Sequence, residues 1–140
     1  MIPILVCTHG ETAPKLIESA EMIAGKQEEC QSVQFKMGES LDVLKKDMVE
    51  HIEKFQEKNN LLCLVDLKGG TPFNVLVQLT KQYPKMDIVT GVNIPMLMQT
   101  FIQRSLNVSK EELIRMAIDA GHKGIYRFEP VVPDSSDEDF

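Results

Sequence analysis

The sequence has no tryptophan, two tyrosines and three cysteines. It also has no apolar run near the roughly 18 to 20 residues of a membrane span. A helical span is thereby excluded. The apolar start, Met1 to Val6, has no basic lead and is too short for a signal peptide. Cys7, Cys30 and Cys63 form no CxxC pair, and two of them sit inside apolar runs, where reduced core residues are expected. A basic surplus is missing too. Lysine and arginine number 15 against 21 acids, for a net charge of −6. Five of those acids and no base lie between Glu129 and Phe140, so the rest of the chain is nearly neutral. Nothing there grips a phosphate backbone, and nucleic acid is not an expected partner. Neither GxxxxGK(S/T) nor GxGxxG occurs, so nucleotide binding loses its main support. No His/Cys/Asp grouping has metal-ligand spacing, and no cofactor is implied.

What is present is ordinary soluble composition: 43% hydrophobic and 26% charged residues in 140. That length supports one domain. The expectation is a cytoplasmic single domain. Periodicity reads as strand and helix in alternation. Ile2 to Cys7 is a buried strand, followed by helical spacing at Leu16, Ile17, Ala20, Ile23 and Ala24, with Gly25 as the stop. Ser32 to Lys36 is a weaker strand. Ser40 caps a helix with a stripe at Leu41, Leu44, Met48, Ile52 and Phe55. Leu61 to Val65 is the strongest strand signal. After it, Thr71 suits a helix N-cap and Pro72 the first helical position. Met86 to Gly91 is a fourth strand and Pro95 to Arg104 a fourth helix. Ser109 and Glu112 make a capping box for a fifth helix ending at Ala120-Gly121. Lys123 to Arg127 reads as a last short strand, and the acidic tail reads as disordered.

Such alternation implies a parallel sheet with right-handed crossovers, and a ligand site beyond the strands' carboxyl ends at a switch in strand order. If the order is 2-1-3-4, Thr8-His9-Gly10 and Asp66 to Thr71 are neighbours there. A neutral imidazole is a nucleophile at one nitrogen when the other carries the proton. Asp66 is placed to accept that proton's hydrogen bond and to stabilise the cation formed on attack. Gly69-Gly70-Thr71-Pro72 offers backbone N–H groups, a helix N-terminus and a hydroxyl to a phosphoryl group. Covalent phosphohistidine chemistry fits this set. His51 reads as solvated and His122 as a loop or cap residue. The eight methionines read as core filling, with Pro95-Met96-Leu97 as a candidate lining of the site's mouth.

Thr8-His9-Gly10, Val65-Asp66 with Gly69-Gly70-Thr71-Pro72-Phe73-Asn74, and Gly91-Val92-Asn93-Ile94-Pro95-Met96-Leu97 resemble the mannose-family enzyme IIA (EIIA) of the bacterial phosphoenolpyruvate-dependent sugar phosphotransferase system. The likeness covers residues 1–128, leaving 129–140 as a tail. It implies a doubly wound sheet of order 2-1-3-4, and a homodimer that exchanges a C-terminal antiparallel strand matching Lys123 to Arg127. It implies that His9 takes phosphate from phospho-HPr and passes it to EIIB, which serves the membrane components EIIC and EIID. Asp66 then orients His9, while Thr8, Gly70 and Thr71 hold the phosphoryl group. Lys68 stands where some relatives carry an aromatic residue, and with Met96 it is a candidate partner contact. Many relatives continue into a IIB domain; this chain stops, which points to a separate IIB polypeptide. Three rivals share the fold. The phosphotransfer subunit of a dihydroxyacetone kinase would feed a bound nucleotide. A non-catalytic regulatory module would need no free nucleophile. A flavodoxin-like cofactor protein is weakened by the shortage of aromatics and of a hydroxyl-rich loop after the first strand.

Overall fold

The computed structural model describes residues 1–133. Its elements are β1 (Ile4–His9), α1 (Thr12–Ala24), β2 (Cys30–Phe35), α2 (Leu41–Ile52), β3 (Leu62–Val65), α3 (Thr71–Leu79), β4 (Asp87–Thr90), α4 (Ile94–Arg104) and α5 (Lys110–Lys123). The four strands form one sheet in the order β2-β1-β3-β4, and every pairing is parallel. This is the expected doubly wound α/β sheet. The switch in strand order falls between β1 and β3.

Parallel strands are buried on both faces, which is why the strand signals are apolar runs rather than alternations. Leu5 and Cys7 of β1 point with Cys63 and Val65 into a core closed by Leu44 and Met48 of α2 and Leu76 of α3. Ile4 and Val6 point the other way, with Leu62 and Leu64, onto Ala13 and Ala20 of α1, Leu97 and Phe101 of α4 and Leu113 of α5. Every one of these residues is essentially without solvent contact. Each large side chain so buried contributes roughly 1.5–3 kcal/mol. No helix among the described residues is long and apolar enough to cross a membrane.

Some expectations need correction. Ile23 and Leu41, read as core-facing, are 62% and 54% exposed, because each sits at the margin of its helical stripe. Helix α3 begins one residue early: Gly70 is its N-cap and Thr71 its first residue, so Pro72 occupies the second position. At α5, Ser109 Oγ does accept from Glu112 N, but the Glu112 carboxylate turns to Arg115, so half of the capping box forms. Helix α5 runs past its expected end at Ala120-Gly121 to Lys123, the expected start of the last strand. Residues 125–133 form no strand, since a strand needs a paired neighbour and none lies beside them among the described residues. Ile125, Tyr126 and Phe128 stand 76%, 78% and 72% exposed. Of the acidic tail, residues 134–140 lie outside the described residues.

Candidate functional site

The carboxyl ends of β1 and β3 lie side by side, because Cys7 is in register with Val65. Just beyond that pair stand Asp66 and, after Thr8, His9. His9 Nδ1 is 3.0 Å from Asp66 Oδ2 and 3.2 Å from Oδ1, and the His9 backbone N–H donates to Oδ2 at 3.1 Å. A carboxylate only accepts, so Nδ1 carries the proton and Nε2 keeps its lone pair. The His9 side chain is 43% exposed and that of Asp66 33%, so the pair is open to a partner.

Gly70 sets the other side of the ring. A Cβ at that position would lie 2.9 Å from His9 Cε1, 3.4 Å from Nε2 and 3.3 Å from the Leu67 carbonyl. The backbone of the α3 start therefore lies directly against the imidazole, as only glycine permits. The loop before it is braced by Gly70 N–H on Leu67 O at 3.1 Å and by Asn74 Nδ2 on Gly69 O at 3.1 Å. The first intrahelical bond runs from Asn74 N to Gly70 O. Pro72 has no N–H, so Thr71 and Phe73 are the free donors of the first turn, and neither has a partner among the described residues. Free N–H groups at a helix N-terminus are donors that an anion can use, and Gly70 sets this helix start against the His9 ring. Opposite, the Phe35 ring meets the imidazole edge-on at 5.8 Å, and Phe35 O accepts from Gly10 N at 2.8 Å.

Thus His9, Asp66 and Gly70 lie together, and Thr71 follows as the first residue of α3. Thr8 does not join them through its side chain. Successive strand residues face opposite sides, and Thr8 is fully buried with its Oγ1 unpartnered. Lys68 is exposed on the same loop, but it lines a groove of about 420 Å³ along the edge of β4, together with Phe73, Ile114, Ile118 and His122. Met96 is 4% exposed and lines a smaller pocket of about 180 Å³ behind Thr90 and Gly91, so it presents no surface to a partner. His51 is half-buried with Nδ1 2.8 Å from Asp47 O, a contact within α2 rather than free solvation. His122 is exposed in the last turn of α5. Phe35 and Asn74 are the members that sequence reasoning missed. The signal for Phe35 is register: β1 pairs His9 directly with Phe35. The thiols take no part. Burial holds Cys7 and Cys63 in the neutral form, and Cys30 is pushed up to about 11 by the same cause.

Comparison with known proteins places this geometry in a family. Residues 3–118 match the family model described as PTS system fructose IIA component, EIIA-man. The mannose-specific EIIAB component of Escherichia coli K12 is 34% identical over 89% of this chain, which spans 38% of that protein's length. The fructose-specific EIIA component of Bacillus subtilis is 32% identical over 74% of this chain and 71% of its own. Among solved structures, EIIA from Streptococcus agalactiae is 32% identical with a TM-score of 0.80, over 91% of this chain and 97% of that one. A mannose/sorbose-specific IIA subunit from Enterococcus faecalis, at 24% identity and a TM-score of 0.84, covers 96% and 100% of the two chains and bears on the fold. The chain belongs to the mannose-type EIIA family of the sugar phosphotransferase system.

Proposed function

We propose that this chain is a phosphocarrier that accepts a phosphoryl group from phospho-HPr on His9 Nε2 and passes it to an EIIB component during sugar uptake. The observation that carries this reading is the Nδ1–Asp66 contact, which leaves Nε2 free beside the α3 N-terminus. Attack by the Nε2 lone pair forms a P–N bond as the bond from phosphorus to the donor breaks. Nδ1 keeps its proton, so the ring gains a positive charge, which the Asp66 carboxylate offsets. The phosphoryl oxygens meet the N–H groups of Thr71 and Phe73 and the Thr71 hydroxyl. Phosphoryl transfer asks for positioning and charge stabilisation more than for covalent help. EIIB then reverses the step at the same nitrogen, and the membrane components EIIC and EIID use the product. The carrier never touches the sugar. No cofactor enters this scheme.

Protein partners fit the surface around His9. Leu67 is 58% exposed and Met37 101%, on the loops after β3 and β2, to either side of the β1 end. Those loops stand about 10 Å apart, given a strand spacing near 4.8 Å. Lys68 adds one exposed cation to that rim. The functional unit is residues 1–128, with the acidic tail beyond it, and the setting is the cytoplasm, where HPr acts.

The unit acts as a homodimer. β4 pairs with β3 alone among the described residues, and the groove along its free side lies between α5 and the α3 side. The exposed apolar segment from Ile125 onward is the matching strand, supplied by a second copy.

Incubation with phosphoenolpyruvate, enzyme I and HPr tests the proposal. One alkali-stable, acid-labile phosphate per chain is expected, absent from His9→Ala and discharged by a mannose-type EIIB. Discharge by a dihydroxyacetone kinase subunit and not by EIIB would overturn the transport reading. Full labelling of His9→Ala would overturn the site.

A further inference from the structure

The chemistry at His9 makes no use of Asn93 and Pro95, although both lie in the most distinctive stretch of the sequence. Asn93 is the N-cap of α4: its Oδ1 accepts from Met96 N at 2.9 Å. Its Nδ2 is spent elsewhere, donating at 3.1 Å to Gly121 O in the last turn of α5. Pro95 closes on the same turn. A Cβ on Gly124 would lie 2.8 Å from Pro95 Cβ and closer still to its Cγ, and one on Gly121 would lie 3.1 Å from Met96 Cε. The start of α4 thus holds the end of α5 at Gly121 and at Gly124.

The point where α5 ends decides which sheet edge residues 125–128 can reach. The helix runs beside β4, from Lys110, whose Nζ is 2.8 Å from Asp87 Oδ2, to His122, which lines the pocket at Thr90 and Gly91. It therefore finishes at the carboxyl end of β4. A reversal at Gly124 would lay Ile125 to Phe128 antiparallel along the free edge of their own β4. Such intramolecular closure has an effective concentration near the millimolar range, so it outcompetes pairing with a second copy at micromolar protein unless something blocks it. In this chain Gly124 has helical φ and ψ of −72° and −8°, Ile125 N donates back to His122 O at 3.2 Å, and residues 125–133 do not return to the sheet.

We propose that Asn93, with Pro95 against Gly124, is an assembly latch: it denies residues 125–128 their own β4 and so delivers them to the β4 edge of a second copy. The latch rests on the dimer reading above. Its role is positioning, away from the reacting atoms.

Two substitutions separate the latch from the fold. Asn93→Asp keeps a side-chain oxygen to cap α4 but loses the donor to Gly121 O. Gly124→Ala is at ease in its helical φ and ψ, yet its methyl forces Pro95 away. Sedimentation equilibrium of wild type and of each variant is the measurement, with circular dichroism to confirm folding and Asn93→Ser as the fallback if Asn93→Asp fails to fold. We expect a dimeric wild type and, for each variant, a dissociation constant raised roughly tenfold or more. In the released monomer, amide exchange at 125–128 becomes slow as the segment pairs with its own β4. A monomeric wild type would refute the dimer reading itself. A dimeric wild type with variants within twofold of it would overturn the latch, as would released monomers whose 125–128 amides exchange freely.

Discussion

At His9 two neighbours set the ring's place, one by accepting a hydrogen bond and one by having no side chain. Replacing Asp66 by Asn offers the ring an N–H as well as a carbonyl, which favours the wrong tautomer and removes the charge that offsets the phosphorylated ring. Loss of such an orienter costs on the order of 10⁴ in other nucleophile systems. Under the proposed transfer from phospho-HPr, roughly 10²-fold slower phosphotransfer is expected, because a docked donor would also position the ring. Rapid-quench transfer from phospho-HPr measures it, and a rate within about twofold of wild type would make Asp66 structural. Gly70→Ala tests the other neighbour. Its backbone, at φ −74° and ψ 171°, suits any residue, so the fold should survive, but the new methyl would sit 2.9 Å from His9 Cε1. The ring must shift, and transfer should fall at least about tenfold with the thermal midpoint little changed. The sequence yields His9 and Asp66 because strand ends in a parallel sheet collect chemistry. It does not yield the contact between Gly70 and the ring or the place of Phe35, which depend on loop path and on register. Thr8 was legible in principle, since Ile4, Val6 and Thr8 share strand parity and that side of β1 is core.

Among the elements, those whose ends are set by local hydrogen bonds follow the sequence most closely. Ser40 Oγ accepts from Val43 N at 3.2 Å, as a Ser before an apolar-periodic stretch predicts. Ser40→Ala should cost about 1 kcal/mol, read as a lowered urea midpoint at unchanged slope, and leave His9 phosphorylation intact. A loss of phosphotransfer without a loss of stability would mean that α2 serves the site directly. Helix α3 is the instructive miss. Thr71 and Gly70 are both acceptable caps; Gly70 takes the position, and its backbone lies against the His9 ring. The C-terminal stretch shows the limit of pattern reading. Ile125 to Phe128 has a strand's composition, but pairing is a property of two strands, and no second one lies beside it among the described residues.

For the whole molecule, helix–strand alternation implies a parallel sheet with right-handed crossovers, the order 2-1-3-4 is implied only by the family resemblance, and the clamp at the sheet's far end by neither. Arg104 is 4% exposed at the end of α4. Its guanidinium donates to the carbonyls of Ile2, Glu28 and Glu29 and to Gln27 Oε1, and burial holds its pKa below the usual arginine range. Arg104→Leu would strand those acceptors and cost about 3 kcal/mol in chemical denaturation; a cost below about 1 kcal/mol would show that water replaces the clamp. Across the sheet, Glu53 accepts from Lys58 at 2.8 Å and from the Tyr83 hydroxyl at 2.6 Å, and these bonds, Lys58 first, hold its carboxyl below the ordinary carboxylate range. A lowered folded pKa gives stability that is complete above the unfolded value and is lost as pH falls through the folded one. The advantage of wild type over Tyr83→Phe should therefore be full near neutrality and shrink on acidification below the ordinary carboxylate range. An advantage that grew on acidification would contradict it.

The proposed function requires phosphate on one nitrogen of one histidine. Ring-¹⁵N-labelled protein, compared by NMR before and after phosphorylation at alkaline pH, tests this most directly, since the chain has three histidines. One ring is expected to change, that of His9, with phosphorus bound at Nε2 and the proton retained at Nδ1. Phosphate at Nδ1, or on His51 or His122, would contradict the claim.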